Sequence, residues 1–106
     1  MSDDPRRFLR YLDAERNASL LYRALAESTD GEQREALLEL ADVEDKHAQH
    51  WVDKLTTYGV EIPPAPTVLN ADDEQLVRRA RSLGLGSVLD TLEQNEGADA
   101  GMYDDE

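Results

Sequence analysis

The sequence predicts an all-α chain built on an antiparallel hairpin of two long helices. Two observations carry this. Apolar residues recur at three- and four-residue steps from Phe8 to Ala26 and again from Leu37 to Leu55, the spacing of one face of a helix. Only the tight break Thr29-Asp30-Gly31 separates the two runs, so the second helix must fold back on the first. No stretch alternates with the two-residue period of a strand.

The elements follow in order. Asp4-Pro5 is a helix start, with Asp4 as N-cap and Pro5 at the first helical position, and the pattern runs to about Ser28. Asp30 and Gln33 have the spacing of a capping box for the second helix, which extends to Tyr58 and stops at Gly59. At about 27 residues it is roughly 40 Å long. Residues 59–71 contain Pro63, Pro64 and Pro66 and read as an extended linker between the 1–58 hairpin and an acidic 72–106 segment. A third, shorter helix is expected over 72–83, capped by Asn70 and stopped by Gly84, with a fourth over 87–96. Beyond it, Gly97, Gly101 and the acidic Asp104-Asp105-Glu106 end weaken helical continuation.

Composition narrows the function. With 24 acidic against 11 basic residues in 106, the net charge is −13. A sequence-independent nucleic-acid binder needs a basic patch, and anionic lipid would repel such a surface. Absence of cysteine excludes disulfides, zinc fingers and thiol catalysis. No apolar run reaches the roughly 18 residues needed to span a bilayer, and no signal-peptide core opens the chain, so a cytoplasmic protein without membrane insertion is expected.

The two stripes are interrupted at matching heights. The first reads Phe8, Leu12, Glu15, Ser19, Tyr22, Ala26; the second reads Leu37, Ala41, Glu44, Ala48, Trp51, Leu55, with His47 three residues after Glu44. An unpaired buried carboxylate costs several kcal/mol, so charges in an apolar stripe call for a cation. Carboxylate oxygen with imidazole nitrogen suits iron, manganese or zinc, and no sulfur ligand is present. Glu44 and His47 share a helical face and can serve one metal pair, with Glu15 opposing them. One Glu plus one Glu-x-x-His is half the ligand set of a four-helix di-metal bundle, and a two-fold dimer supplies the other half. Tyr22, two turns after Glu15, is placed to donate a hydrogen bond to a ligating carboxylate. Glu93 and Glu96 repeat the i, i+3 spacing, and Glu96 precedes Tyr103 by seven residues, as Glu15 precedes Tyr22.

These residues resemble a known family. The segments 10–16 (RYLDAER), 22–26 (YRALA), 37–47 (LLELADVEDKH) and His50-Trp51 are similar to ferritin-like, rubrerythrin-type di-iron domains. The likeness is nearest to the N-terminal ferritin-like domain that precedes the vacuolar-iron-transporter-type membrane domain of membrane-bound ferritins. It extends well over residues 8–58. It implies a ferritin-like four-helix bundle formed by dimerisation, an iron centre held by Glu15, Glu44 and His47, and Glu93 and Glu96 matching a Glu-x-x-Glu of the third helix. The implied activity is ferrous iron oxidation by oxygen or peroxide, in iron storage, detoxification or transport. Implied partners are a second copy or a higher even-numbered oligomer, and an iron-transporter membrane domain. Two features depart from the pattern: no second Glu-x-x-His helix follows, and no transmembrane segment is present. Encapsulated ferritins offer a precedent for paired two-helix chains, and the run 83–88 (LGLGSV) has a faint likeness to tags that load cargo into encapsulin shells. Two other readings fit the same residues: a metal-responsive regulatory domain without turnover, and a metal-free helical interaction module whose apolar faces bind a partner helix.

Overall fold

The computed structural model describes residues 4–92 and 94. Its elements are α1 (Pro5–Glu27), α2 (Gly31–Thr57), α3 (Ala71–Leu83) and a short 3-10 turn (Leu85–Val88), after which the backbone is again helical through residues 89–92. No strand occurs among the described residues. As expected from the three-residue break, α1 and α2 form an antiparallel hairpin.

Local chemistry sets the helix ends. Asp4 accepts a hydrogen bond from the backbone N–H of Arg6 at 2.9 Å, and Pro5 occupies the first turn, where its missing N–H costs nothing. At the far end of α2, Gly59 takes a positive φ of 71°. This lets its N–H reach the carbonyl of Thr56 at 3.0 Å while Val60 N–H reaches that of Leu55 at 3.1 Å, a Schellman stop. Asn70 caps α3 by accepting from the backbone N–H of Asp73 at 2.9 Å. One expectation fails. Asp30 is the N-cap residue of α2, but its side chain makes no capping bond, and Gln33 instead accepts from the Thr29 hydroxyl at 2.9 Å. With Thr29 one residue upstream offering a hydroxyl at helical i, i+4 distance, the Gln33 side chain turns to it rather than back to Asp30.

Every residue of the first stripe is buried, and so is the second except at Glu44, which is half-buried. The apolar residues do not form one continuous core. Phe8, Tyr11, Leu12, Ala48, Trp51 and Leu55 make one cluster, at the open end of the hairpin. Leu21, Tyr22, Leu25, Ala26, Leu37 and Ala41 make a second near the turn, completed by Leu76, Val77 and Ala80 of α3 with Val88 and Leu92. Between them lies a polar layer containing Glu15 and Ser19.

The linker residues 60–70 run without helix, and Val60 and Ile62 pack against the open-end cluster. Arg16 donates from Nη1 to the Pro63 carbonyl at 2.7 Å, tying the linker to α1 at the height of the polar layer. Among the described residues α3 packs on α1, while on α2 Leu40 borders a pocket together with Leu85, Leu89 and Leu92. There Leu40 and Val43 are 37% and 43% exposed, one and two helical turns below His47.

Because the polar layer parts the two clusters, they respond independently. Leu12→Ala and Leu25→Ala, both at buried sites, are each expected to cost about 2–5 kcal/mol in urea unfolding. The double variant is expected to sum them to within about 0.5 kcal/mol. A larger departure from additivity would mean that the clusters communicate across the layer.

Candidate metal centre

Helix α1 brings Glu15 to the centre of the hairpin, where it is only 2% exposed. Helix α2 brings Glu44 and, one turn on, His47 to the same height. His47 Nδ1 lies 3.3 Å from Glu15 Oε2. One ligand atom from each of Glu15, Glu44 and His47 can be chosen so that all three lie within 4.8 Å of one another. The three residues singled out from sequence are therefore brought together by the fold.

Their exposure is graded. Glu15 forms the floor, Glu44 is half-buried, and the His47 side chain is 51% exposed. The group thus opens at His47, on the face of α2 that also carries Leu40 and Val43. A carboxylate buried to this degree is costly unless paired or hydrogen-bonded. His47 supplies one partner when Nδ1 carries a proton, and a divalent cation competes for the same lone pairs with more charge. Two carboxylates and an imidazole are a hard-to-borderline donor set suited to iron, manganese or zinc.

A second polar group fixes the two helices beside the first. The hydroxyl of Ser19, one turn after Glu15 and 6% exposed, donates to Asp45 Oδ1 at 2.6 Å. Arg23, a further turn along, donates to Asp45 Oδ2 at 2.6 Å and to Asp42 Oδ1 at 3.1 Å. Hydrogen bonds to Asp45, and then to Asp42, raise the Arg23 pKa above the usual arginine value. Asp45 adjoins Glu44 in the chain, so the bridge holds α2 in register with α1 at the candidate ligands. Sequence reasoning placed Ser19 on the stripe without giving it this role and passed over Arg23, Asp42 and Asp45. The available signal was Ser19 and Arg23 at i, i+4 opposite an acidic pair at i, i+3.

The other singled-out residues fall as follows. Tyr22 is 4% exposed within the turn-end cluster, beside Leu25 and Leu37. Trp51 is core, and His50 is exposed with its ring edge-on to Trp51 at 4.7 Å. Glu93, Glu96 and Tyr103 lie outside the described residues.

Compared with protein-family models, curated proteins and solved structures, the chain matches none. The residues of the site therefore carry the functional argument alone. No helix among the described residues is long and apolar enough to cross a membrane.

Replacing Glu15 by Leu removes the cost of burying a carboxylate while filling its space. Metal-free Glu15→Leu is expected to unfold at the same or higher urea concentration than the parent, and to lose the thermal stabilisation that Mn(II) gives the parent. A marked drop in metal-free stability would identify the Glu15–His47 contact as a structural pair instead.

Proposed function

We propose that the chain binds ferrous iron through Glu15, Glu44 and His47 and, paired with a second copy, oxidises it with oxygen or peroxide as a ferritin-like ferroxidase. The observation that carries this reading is the convergence of three ligand-type atoms within 4.8 Å on a carboxylate that is 2% exposed. Ferrous iron is the substrate. Glu15 and Glu44 supply anionic oxygen, which favours the ferric product over the ferrous reactant, and His47 supplies a neutral nitrogen at the mouth. The acidic surface raises the local concentration of the cation.

The described residues offer three ligands, half of what a bundle-type iron pair uses. A two-fold partner repeats Glu15, Glu44 and His47, and docking on the open side of α2 would also cover Leu40 and Val43. Pairing thus answers both the shortage of ligands and the exposed apolar side chains. The expected assembly is a homodimer, or a larger oligomer built from such pairs. Iron storage, detoxification or delivery to a transporter are the settings in which this chemistry serves a cell.

The test is an anaerobic ferrous titration followed by admission of oxygen. We expect saturation near one iron per chain, a dimer by sedimentation, and rapid ferric absorbance when oxygen enters. Glu44→Ala is expected to lose saturable binding and slow the oxidation at least tenfold, about 1.4 kcal/mol in the barrier. Unchanged binding and rate in Glu44→Ala would overturn the proposal. Stoichiometric binding without oxidation would leave a metal-responsive clamp.

A further inference from the structure

A cleft of about 320 Å³ opens at the turn end of the hairpin, and none of Glu15, Glu44 and His47 lines it. One wall is α2, through Ala36, Leu37 and Leu40. The other is the segment after α3, through Leu85, Leu89 and Leu92, which recur at helical spacing. Val88, fully buried in the turn-end cluster, anchors that segment, and Gly84, with a φ of 92°, leads the chain out of α3 into it. The gap between the walls has a local cause. Ala36 offers a single methyl where Leu40, one turn on, offers a branched chain, so α2 leaves room at that height.

We propose that this cleft binds a neutral, largely apolar small molecule that presents one oxygen acceptor to Gln33. The volume equals that of about ten water molecules and lies at the lower end of the range for small-molecule sites, roughly 300–1,000 Å³. Returning that water to bulk from walls of leucine favours an apolar occupant. Tyr22, also on the lining and 4% exposed, adds an aromatic side chain against which a ring can pack. Gln33 supplies the polar handle. Its carboxamide oxygen accepts from the Thr29 hydroxyl at 2.9 Å, and its NH2 has no partner among the described residues. An NH2 group only donates, so it selects a carbonyl or hydroxyl oxygen on the ligand. No Asp, Glu, Lys, Arg or His among the described residues lines the cleft. A charged ligand would lose hydration there without a countercharge, and a chain of net charge −13 repels an anion further. Carboxylates are thus disfavoured, and neutral ketones of ring or short-chain type fit best.

The site goes beyond the iron reading and does not rest on it. Leu40 belongs to both surfaces: it borders the cleft, and it lies on the face that a second copy would cover. The other lining residues take no part in the proposed pairing. Leu89, 43% exposed, borders the opposite wall. A ligand filling the space between Leu40 and Leu89 bridges α2 and the 85–92 segment, and so also stabilises the fold in proportion to its occupancy.

The experiment titrates the metal-free full chain, carrying carbon-13 leucine methyl groups, with α-tetralone, a bicyclic aromatic ketone. Naphthalene serves as a carbonyl-free counterpart of nearly the same size. Saturable shifts at Leu40, Leu85, Leu89 and Leu92 are expected, with about one tetralone per chain and several-fold weaker binding of naphthalene. Gln33→Leu is expected to erase the difference between the two probes. Ala36→Phe, at an exposed helix position, is expected to fill the cleft and abolish both, with its circular dichroism unchanged. No saturable tetralone binding, or binding that survives in Ala36→Phe, would overturn the proposal. Nuclear Overhauser contacts in the ligand-free protein from these leucines to residues 95–106, or to a second copy, would identify a protein occupant and overturn it too. Because no iron is present, the cleft and the ferrous site fail separately.

Discussion

Burial of the Glu15 carboxylate between α1 and α2 is the constraint around which the rest of the hairpin is arranged. A charged group 2% exposed in a small helical protein divides the apolar interior, and here the division is literal: one cluster centres on Phe8, Trp51 and Leu55, the other on Leu25, Leu37 and Val77. Each is small. Between them the helices are held by polar contacts, His47 to Glu15 and the Ser19–Asp45–Arg23–Asp42 bridge. The bridge adds directional bonds at one height of the hairpin, with the ion pairs of Arg23 partly exposed to solvent. The linker adds a further tie through Arg16 and the Pro63 carbonyl.

This arrangement gives the candidate centre a closed side and an open one. Among the described residues Arg16 ties the linker to α1 and α3 packs on α1, whereas His47, Val43 and Leu40 of α2 are partly exposed. On the proposed function, a second hairpin would bring its ligands to the exposed edge at His47. The convergence of Glu15, Glu44 and His47 and the division of the apolar interior are thus linked by one structural fact, the height at which Glu15 interrupts the α1 stripe.

Much of this was legible in the residues. The two stripes, the break at 29–31, the stops at Gly59 and Gly84 and the Asp4 and Asn70 caps are local signals, and the helices obey them. The coincidence of Glu15 with Glu44 and His47 was also readable, because antiparallel helices joined by a short turn pair residues at predictable heights. What periodicity does not give is rotation within a stripe. It placed Glu44 and His47 on the inward side, while the fold grades them from half-buried to exposed, since α2 turns that edge away from α1. Nor does it give long-range side-chain choices. Arg23 could have met any of several acids, and only the packed helices select Asp42 and Asp45. The Asp30–Gln33 pairing failed for the opposite reason, because a nearer local partner, Thr29, was available.

The central claim is that Glu15, Glu44 and His47 act together as ligands. Diffraction from crystals grown anaerobically with ferrous iron, with data collected at the iron absorption edge, tests it most directly. The account predicts an anomalous peak bonded to a Glu15 oxygen, a Glu44 oxygen and a His47 nitrogen, with a two-fold mate supplying the same three residues. Iron bound elsewhere on the acidic surface, with the His47 to Glu15 contact intact and no peak between the helices, would contradict it.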